Sequence, residues 1–144
     1  MKNKTIIYAI FFLSFQIIIG QEVNENFEDG NLINWIKSTP EGWTYSTENA
    51  ITGTNSLKHN LTGVAGISYI SHDTSTLNIN SQDTSWEFNL KNGTWDPSSG
   101  NKFWVYLTAN TSDLNSSDIN GYAIGVNFTG TTDLLTLWKI TNND

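Results

Sequence analysis

The sequence feature that most constrains the fold of this chain is the alternation of apolar and polar residues with a period of two. It is clearest at 121–128, and two more alternating runs, 86–91 and 103–108, lie on either side of a polar loop. Successive side chains of a strand point to opposite faces, so such runs are typical of strands with one buried face. Since no window shows helical periodicity, the pattern predicts a chain built from β-strands.

Short strands separated by turns are predicted along most of the sequence. The predicted runs are 23–27, 43–46, 56–60, 66–71, 84–91, 103–107, 121–128 and 134–140. Many short strands with turn residues between them predict an all-β fold, an antiparallel β-sandwich or jelly roll. The Thr/Ser/Asn-rich segments 71–85 and 108–120 are predicted to be long loops at the ends of the sandwich, where binding residues often lie.

The first twenty residues have the pattern of a secretory signal peptide. Lys2 and Lys4 precede a nearly continuous apolar run at 6–19, and Gly20 is a small residue suited to cleavage before Gln21. A transmembrane anchor is the competing interpretation, but the run is short for a span. We therefore expect residues 1–20 to be removed, with no membrane span after cleavage. The expected product is one secreted or cell-surface domain at 21–144.

The charge balance excludes several classes of partner. The chain has seven lysines, no arginine and fourteen acidic residues; without Lys2 and Lys4 the net charge becomes −9. Such a chain has no basic track for phosphates, so nucleic acid is not an expected partner, and anionic membrane surfaces are disfavoured. The absence of cysteine excludes disulfides, thiolate metal sites and a cysteine nucleophile.

A glycan groove is predicted beside the strand at 103–108. Phe103, Val105 and Leu107 are expected to face the core, which leaves Trp104 and Tyr106 outward. Aromatic faces suit the C–H surface of a sugar ring, and nearby polar groups suit its hydroxyls. The alternative is that another strand or loop covers Trp104 and Tyr106, because aromatic residues usually bury themselves.

Hydrogen-bonding groups for this groove are expected from neighbouring strands. Glu87 and Asn89 alternate with the apolar residues of 84–91, while Asn127 shares the small or polar face of 121–128 with Ala123 and Gly125. Small residues there would leave a trough for a ligand; alternatively, Gly125 relieves crowding at a bend or bulge. Trp95, in the polar loop, could extend the binding surface.

No catalytic residues are predicted. Glycoside hydrolysis generally needs two carboxylates flanking the scissile bond, and the face formed by Glu87, Asn89 and Lys91 offers one. There is neither a G-x-S-x-G elbow nor an H-E-x-x-H zinc motif. The sequence therefore predicts a protein that is not an enzyme.

Calcium is the one cofactor for which the sequence offers ligands. Glu28 and Asp29 precede a turn glycine, and Asp133 follows another turn late in the chain. Carboxylates and carbonyls at strand ends are suitable calcium ligands. Acidic residues in turns also serve simply as turn formers, so a structural calcium site is one of two interpretations.

Several motifs resemble those of a known domain family. They are F-E-D-G-N-L-I-N-W at 27–35, S-T-E-N-A-I-T-G-T-N-S-L-K-H-N at 46–60, W-E-F-N-L-K-N-G at 86–93, W-D-P-S-S-G-N at 95–101 and N-G-Y-A-I-G-V-N-F-T-G-T-T-D-L-L-T-L-W-K-I at 120–140. Together they resemble a concanavalin A-like, laminin-G-type jelly roll near the N-terminus of secreted proteins of gliding Gram-negative bacteria. The resemblance implies a large surface-associated parent protein, often with downstream modules and a tail for type IX secretion.

The chain departs from that family at its end. Family members continue beyond the strand at 134–140 with further strands, whereas this sequence ends at Asp144 and carries no sorting tail. We therefore expect a partial domain, from a truncated reading frame or a fragment, with an incomplete sheet edge.

Three functions follow as hypotheses. The first is a secreted, non-catalytic carbohydrate-binding module whose partners are a polysaccharide or glycan and the downstream modules of its parent protein. The second is a structural or adhesion spacer without a small ligand. The third is the remnant of a glycoside hydrolase of the lectin/glucanase superfamily, against which the missing carboxylates argue. Fold by itself does not choose among them.

Overall fold

The computed structural model describes residues 23–77, 79, 83–93 and 96–144. The predicted signal peptide and Trp95 therefore lie outside the described residues. The elements are β1 (Trp35–Lys37), a 3-10 turn (Pro40–Gly42), β2 (Trp43–Ser46), β3 (Ser56–His59), β4 (Ile70–His72), β5 (Phe103–Ala109), β6 (Gly121–Val126) and β7 (Leu135–Ile140). All strand pairs are antiparallel, so the prediction of an all-β, antiparallel fold is confirmed. In this part of the chain, no helix has the length and apolar character that crossing a membrane requires.

The strands form three small sheets. β1 pairs with β4, β2 pairs with β3 in a hairpin, and the third sheet has the order β5-β6-β7. The hairpin register places Trp43 opposite His59, and their rings lie 5.0 Å apart. Gly53, in the turn between β2 and β3, has a φ of 64°, which a glycine adopts without steric cost.

The three-stranded sheet sets large residues opposite small ones. Trp104 pairs with Gly125, Tyr106 with Ala123, and Trp138 with Ala123 from the other side. An added Cβ at Gly125 would overlap the Phe103 carbonyl oxygen and the Trp104 backbone. The small residues of β6 thus make room for the aromatic side chains of its neighbours.

The buried side of this sheet is the opposite of the predicted one. Ala123 is fully buried with Ile119 and Ile140, and Trp104 and Tyr106 pack against this cluster. The outward face predicted for Trp104 and Tyr106 is therefore wrong, and the alternative that they are covered holds. The trough expected above Ala123 and Gly125 is occupied by aromatic rings of the protein itself.

The other face of the same sheet is apolar and largely exposed. Tyr122, Leu135 and Leu137 are 47%, 63% and 60% exposed, respectively. Val126 on this face is nevertheless buried. Both faces of β5-β6-β7 are thus apolar, which explains why alternation alone did not show which one is buried.

Two predicted strands are not strands in the structure. Residues 83–93 are not part of a strand and are exposed throughout, with Trp86 45% exposed. The run at 23–27 is also irregular, and Phe27 has a φ of 60°. Alternation specifies which residues share a face, but a strand also needs a neighbour for its backbone hydrogen bonds.

Candidate functional site

Aromatic rings cover the buried side of the three-stranded sheet. The rings of Trp104 and Phe128 meet edge to face at 4.7 Å, and the Phe128 and Trp138 centroids are 5.6 Å apart. Burial raises the pKa of Tyr106. These contacts are those of a packed core, which leaves little free aromatic face; a ligand role for Trp104 and Tyr106 stays a prediction.

Asn127 lies at the end of β6 and is committed to a turn. Its Nδ2 donates to Asp133 Oδ1 at 2.6 Å, and its Oδ1 accepts from the Asp133 backbone amide at 3.0 Å. Asn127 is 3% exposed. The side-chain amide of Asn127 therefore stabilises the turn between β6 and β7. A glycan could bind this amide only after its two hydrogen bonds to Asp133 were broken.

The structure does not bring the remaining groove candidates onto the sheet. Glu87 and Asn89 lie in the exposed segment 83–93, whereas Trp104 and Tyr106 lie on the covered side of β5. Of the predicted set, Trp104 and Tyr106 lie on β5 of the three-stranded sheet, and Asn127 directly follows β6 of the same sheet. A groove made by all of the candidates is not present in the described residues.

The candidate calcium ligands have separate protein partners. Glu28 Oε1 accepts hydrogen bonds from the backbone amides of Thr54 and Asn55, at 2.8 and 2.9 Å. Asp29 accepts from the amide and side chain of Asn31. With Asp133 bound to Asn127, the three carboxylates act as turn and loop anchors. Across the described residues, no three acidic, histidine or cysteine side chains are grouped to hold a metal ion, and the calcium site stays a prediction.

A different feature offers exposed polar chemistry. A cleft of about 440 Å³ lies between residues 72–75, at the end of β4, and residues 109–112, at the end of β5. Ile36 of β1 also lines it. We call this the loop cleft. The two Thr/Ser/Asn-rich segments predicted as end loops each contribute one of its walls.

The first wall carries a carboxylate beside an imidazole. Asp73 is fully exposed, and the Ser75 backbone amide, which donates to Oδ1 at 2.8 Å, lowers the pKa of its carboxyl, with the Ser75 side chain and His72 adding to the effect. His72 Nδ1 lies 2.9 Å from the Asp73 carbonyl and donates to it, since a carbonyl only accepts. The Trp35 ring meets the imidazole edge to face at 5.1 Å. This wall therefore offers an ionised acceptor of fixed geometry.

The second wall is tied to the first by contacts between distant segments. The Ser71 hydroxyl donates to the Ser112 carbonyl at 2.9 Å. A hydrogen bond between the Tyr69 hydroxyl and the Asp113 carboxylate raises the pKa of Tyr69. These two contacts hold the loop after β5 against β4 and so fix the width of the loop cleft.

Asparagine side chains close the base of the 110–120 loop. The backbone amide of Asn110 donates to the backbone carbonyl of Asn120 at 3.0 Å. The backbone amide of Asn120 donates to the side-chain oxygen Oδ1 of Asn110 at 2.7 Å. Both side-chain amides also donate to the Asp118 carbonyl, at 3.1 and 2.8 Å. The loop thus starts from a rigid base, which favours a preformed wall.

A second, larger cleft has a different lining. It encloses about 610 Å³ between residues 61–66 and Gly100–Asn101, with His59 beside them. Its lining is mainly glycine, alanine, valine and leucine. Such a lining offers few side-chain groups for specific hydrogen bonds, so the loop cleft is the better candidate for recognition.

Comparison with known proteins gives no relative. No family model, curated protein or solved structure matches the chain. The motifs at 27–35, 46–60, 86–93, 95–101 and 120–140 therefore stand as a resemblance.

Proposed function

We propose that this chain is an exported, non-catalytic carbohydrate-binding module that binds glycans in the loop cleft. Its fold in this proposal is a β-sandwich of the jelly-roll type, concanavalin A-like, within a larger extracellular protein. The antiparallel strands, the leader-like N-terminus and the family-like motifs support this reading. A sandwich would also give the exposed apolar face of β5-β6-β7 a covering layer.

The observation that carries the proposal is the pairing of polar groups across the loop cleft. Asp73 and Thr74 line one side, and Thr111 and Ser112 line the other. Carboxylates and hydroxyls can together accept from and donate to the several hydroxyls of a sugar residue. Ile36, which is 46% exposed, offers apolar surface to the C–H side of the ring.

Charge narrows the class of glycan. Asp73 is ionised at neutral pH, and the whole chain carries a net charge of −7. Uronic acids and sulfated sugars would therefore meet electrostatic repulsion in the cleft. The preferred ligands are neutral hexoses or pentoses, or sugars bearing an amine.

The lining also favours binding over hydrolysis. Asp73 is the single carboxylate among those cleft-lining residues that the structure describes. Retaining and inverting glycosidases generally use two carboxyl groups, about 5 to 9.5 Å apart. The cleft thus has the groups to hold a sugar and lacks the acid–base pair to cleave it.

Affinity electrophoresis through gels containing neutral polysaccharides tests the proposal. The panel is a β-glucan, a mannan, a xylan and chitosan, with an anionic pectin for comparison. Thr74→Ala with Ser112→Ala removes two cleft hydroxyls, and the matched control, Thr129→Ala with Thr131→Ala, removes two exposed hydroxyls from the turn after β6. We expect the wild type and the control to be retarded by at least one neutral polymer, and the cleft variant to migrate freely.

Three results would overturn the proposal. Equal retardation of wild type and cleft variant would place binding elsewhere, and absence of retardation on every polymer would remove the carbohydrate function. Release of reducing ends that depends on Asp73 would show instead that the module is an enzyme.

A structural or adhesion module is the second candidate function. The observation in its favour is the exposed apolar face formed by Tyr122, Leu135 and Leu137. Exposed apolar patches commonly mark contacts with other proteins or modules. Concentration-dependent association that Leu135→Ser with Leu137→Ser abolishes, together with no retardation on any polysaccharide, would favour this alternative.

A further inference from the structure

The described strands divide into two groups that follow one another along the chain. Strands β1 to β4 form two sheets within residues 35–72, whereas β5, β6 and β7 pair with one another within residues 103–140. Among the strands that the structure describes, no ladder joins the first group to the second. A cut in the chain between residues 72 and 103 would therefore leave all of these ladders intact.

The buried core belongs to the second group. Within the described residues, the buried hydrophobic side chains are those of Ile119, Ala123, Val126 and Ile140. The partly buried hydrophobic side chains that pack against this core come from residues 104–138. Because these contacts are made within one stretch of chain, they do not depend on a covalent link to residues before that stretch.

The segment 83–93 lies between the two groups and is exposed at every position. It forms no strand or helix, and even its large apolar residues Trp86, Phe88 and Leu90 are 45%, 42% and 48% exposed. Exposed stretches outside strands and helices are the preferred places for proteolytic cleavage, since an endopeptidase has to take several consecutive residues into its own cleft. Segment 83–93 has this exposure along its whole length.

Lys91 is the one basic residue of segment 83–93, and the chain has no arginine. Four other lysines lie in or directly beside paired strands: Lys37 in β1, Lys58 in β3, Lys139 in β7 and Lys102 immediately before β5. Lys2 and Lys4 lie outside the described residues. Cleavage after any of those four lysines requires strand residues to leave their sheet first, whereas cleavage after Lys91 does not.

The side chain of Lys91 is held loosely in the folded chain. Its Nζ donates to the Asn49 carbonyl at 3.5 Å, across an exposed surface. This distance is long for a hydrogen bond, and water competes for both groups, so the contact contributes little to stability. The ammonium group of Lys91 can therefore enter the binding pocket of another protein at little cost.

We propose that segment 83–93 is a proteolytic processing site, where an endopeptidase specific for lysine cuts between Lys91 and Asn92. Such an enzyme binds the lysine ammonium group with a carboxylate in its specificity pocket. The reaction consumes one water molecule, breaks the peptide bond, leaves a carboxylate on Lys91 and frees the amine of Asn92. The cut divides the covalent chain between β4 and β5, and each sheet stays whole.

Limited digestion of the folded full chain with a lysine-specific endopeptidase tests the site. The rate at each described lysine is divided by the rate for a short synthetic peptide around that lysine, which removes the preference of the enzyme for neighbouring residues. On this relative scale we expect cleavage after Lys91 to be at least about tenfold faster than after any of the other four described lysines. Mass spectrometry identifies the product that begins at Asn92.

Two substitutions show whether Lys91 itself directs the cut. Lys91→Gln should abolish the product that begins at Asn92, because the specificity pocket then has no ammonium group to bind. Lys139→Gln is the matched control, since it also removes an exposed lysine. The control should be cut after Lys91 at the same rate as the unsubstituted chain.

Hydrogen exchange on the cut chain tests whether the sheets stay whole. The amides of β5, β6 and β7 should exchange at the same rates before and after cleavage, because their ladders and their core lie within residues 103–140. This readout uses the unsubstituted sequence, so it does not depend on how a variant folds.

Three results would overturn the proposal. A Lys91–Asn92 bond that is cut later than the bond after another described lysine, or not at all, would show that segment 83–93 is not the accessible site. Cleavage after all five described lysines at peptide rates would show that the strands give no protection. Loss of exchange protection in β5, β6 and β7 after the cut would show that this sheet needs the covalent link. None of these measurements uses a glycan, so the test is independent of the loop cleft.

Discussion

Asn127 and Asp133 hold each other through two hydrogen bonds across the turn between β6 and β7. The side-chain amide of Asn127 donates to the Asp133 carboxylate, and the Asp133 backbone amide donates back to the Asn127 side-chain oxygen. Both residues have positive φ, 58° and 57°. Asparagine and aspartate tolerate this conformation better than other non-glycine residues, so the pair satisfies the turn sterically as well as through hydrogen bonds.

Removing this pair should weaken the fold. We expect Asn127→Ala to lower the free energy of unfolding by about 1–3 kcal/mol, because it deletes both hydrogen bonds, each of which contributes about 0.5–1.5 kcal/mol. Asp133→Ala should cost less, since its backbone amide can still donate to Asn127. Urea denaturation followed by circular dichroism measures both changes, and equal stability of Asn127→Ala and wild type would contradict the role given to the pair.

Trp104 should behave as a core residue in a truncation experiment. We expect Trp104→Ala to lower the free energy of unfolding by about 2–4 kcal/mol, toward the low end for aromatic truncations because the ring is half-buried. Ile33→Ala is the control, since Ile33 is 85% exposed and its truncation should change stability by less than about 0.5 kcal/mol. Similar small effects of both substitutions would show that Trp104 is a free surface ring.

Gly125 should be intolerant of any side chain. A Cβ there would overlap the Phe103 carbonyl oxygen and the backbone of Trp104. Gly125→Ala should therefore force β5 and β6 apart and lower the free energy of unfolding by about 1–3 kcal/mol. Gly93→Ala, where a Cβ meets open space, is the matched control. Thermal unfolding measures the midpoints of the two variants. Equal midpoints would contradict the close approach of β5 and β6 at Gly125.

Acid should destabilise the β2–β3 hairpin through His59. Burial lowers the pKa of His59 below its usual value of 6.5, so the unfolded chain binds the proton more readily than the folded chain. The contribution of His59 to stability is then complete above the unfolded-state pKa and is lost as the pH falls through the folded-state pKa. We expect the urea midpoint to fall between pH 7.5 and 5.5, and to fall less in His59→Gln. An equal fall in both proteins would exclude His59 as the cause.

The strands that the sequence predicts correctly are those with a partner close along the chain. β2 and β3, joined by one turn, appear where the pattern of 43–46 and 56–60 places them, and the runs at 103–107, 121–128 and 134–140 become β5, β6 and β7. Alternation could not show which side of this sheet is buried, because both sides carry large apolar residues. That choice depends on the pairing of Trp104 with Gly125, which is a property of the sheet and not of either strand.

The residues that line the loop cleft could not be predicted from the sequence. Its two loops could be predicted from their Ser, Thr and Asn content, but nothing in the sequence indicates that Ser71 donates to Ser112, forty-one positions away. The contacts of the candidate calcium ligands could not be predicted for a related reason. A carboxylate in a turn is suited to a cation and to backbone amides alike, and Glu28 is bound to the amides of Thr54 and Asn55.

The hydrogen bonds between Asn110 and Asn120 close the 110–120 loop at its base, and this affects which loop residues can be substituted. Asn110 and Asn120 fix the ends of the loop, and Ile119 and Leu114 fix its contact with the core. The exposed positions 112, 115 and 117–118 can then change in side chain while the sheet beneath stays the same. Related proteins that keep the Asn110–Asn120 contact could therefore evolve new ligand preferences through single substitutions in this one wall of the loop cleft. The same few codons could be randomised in a library to select new ligand specificities.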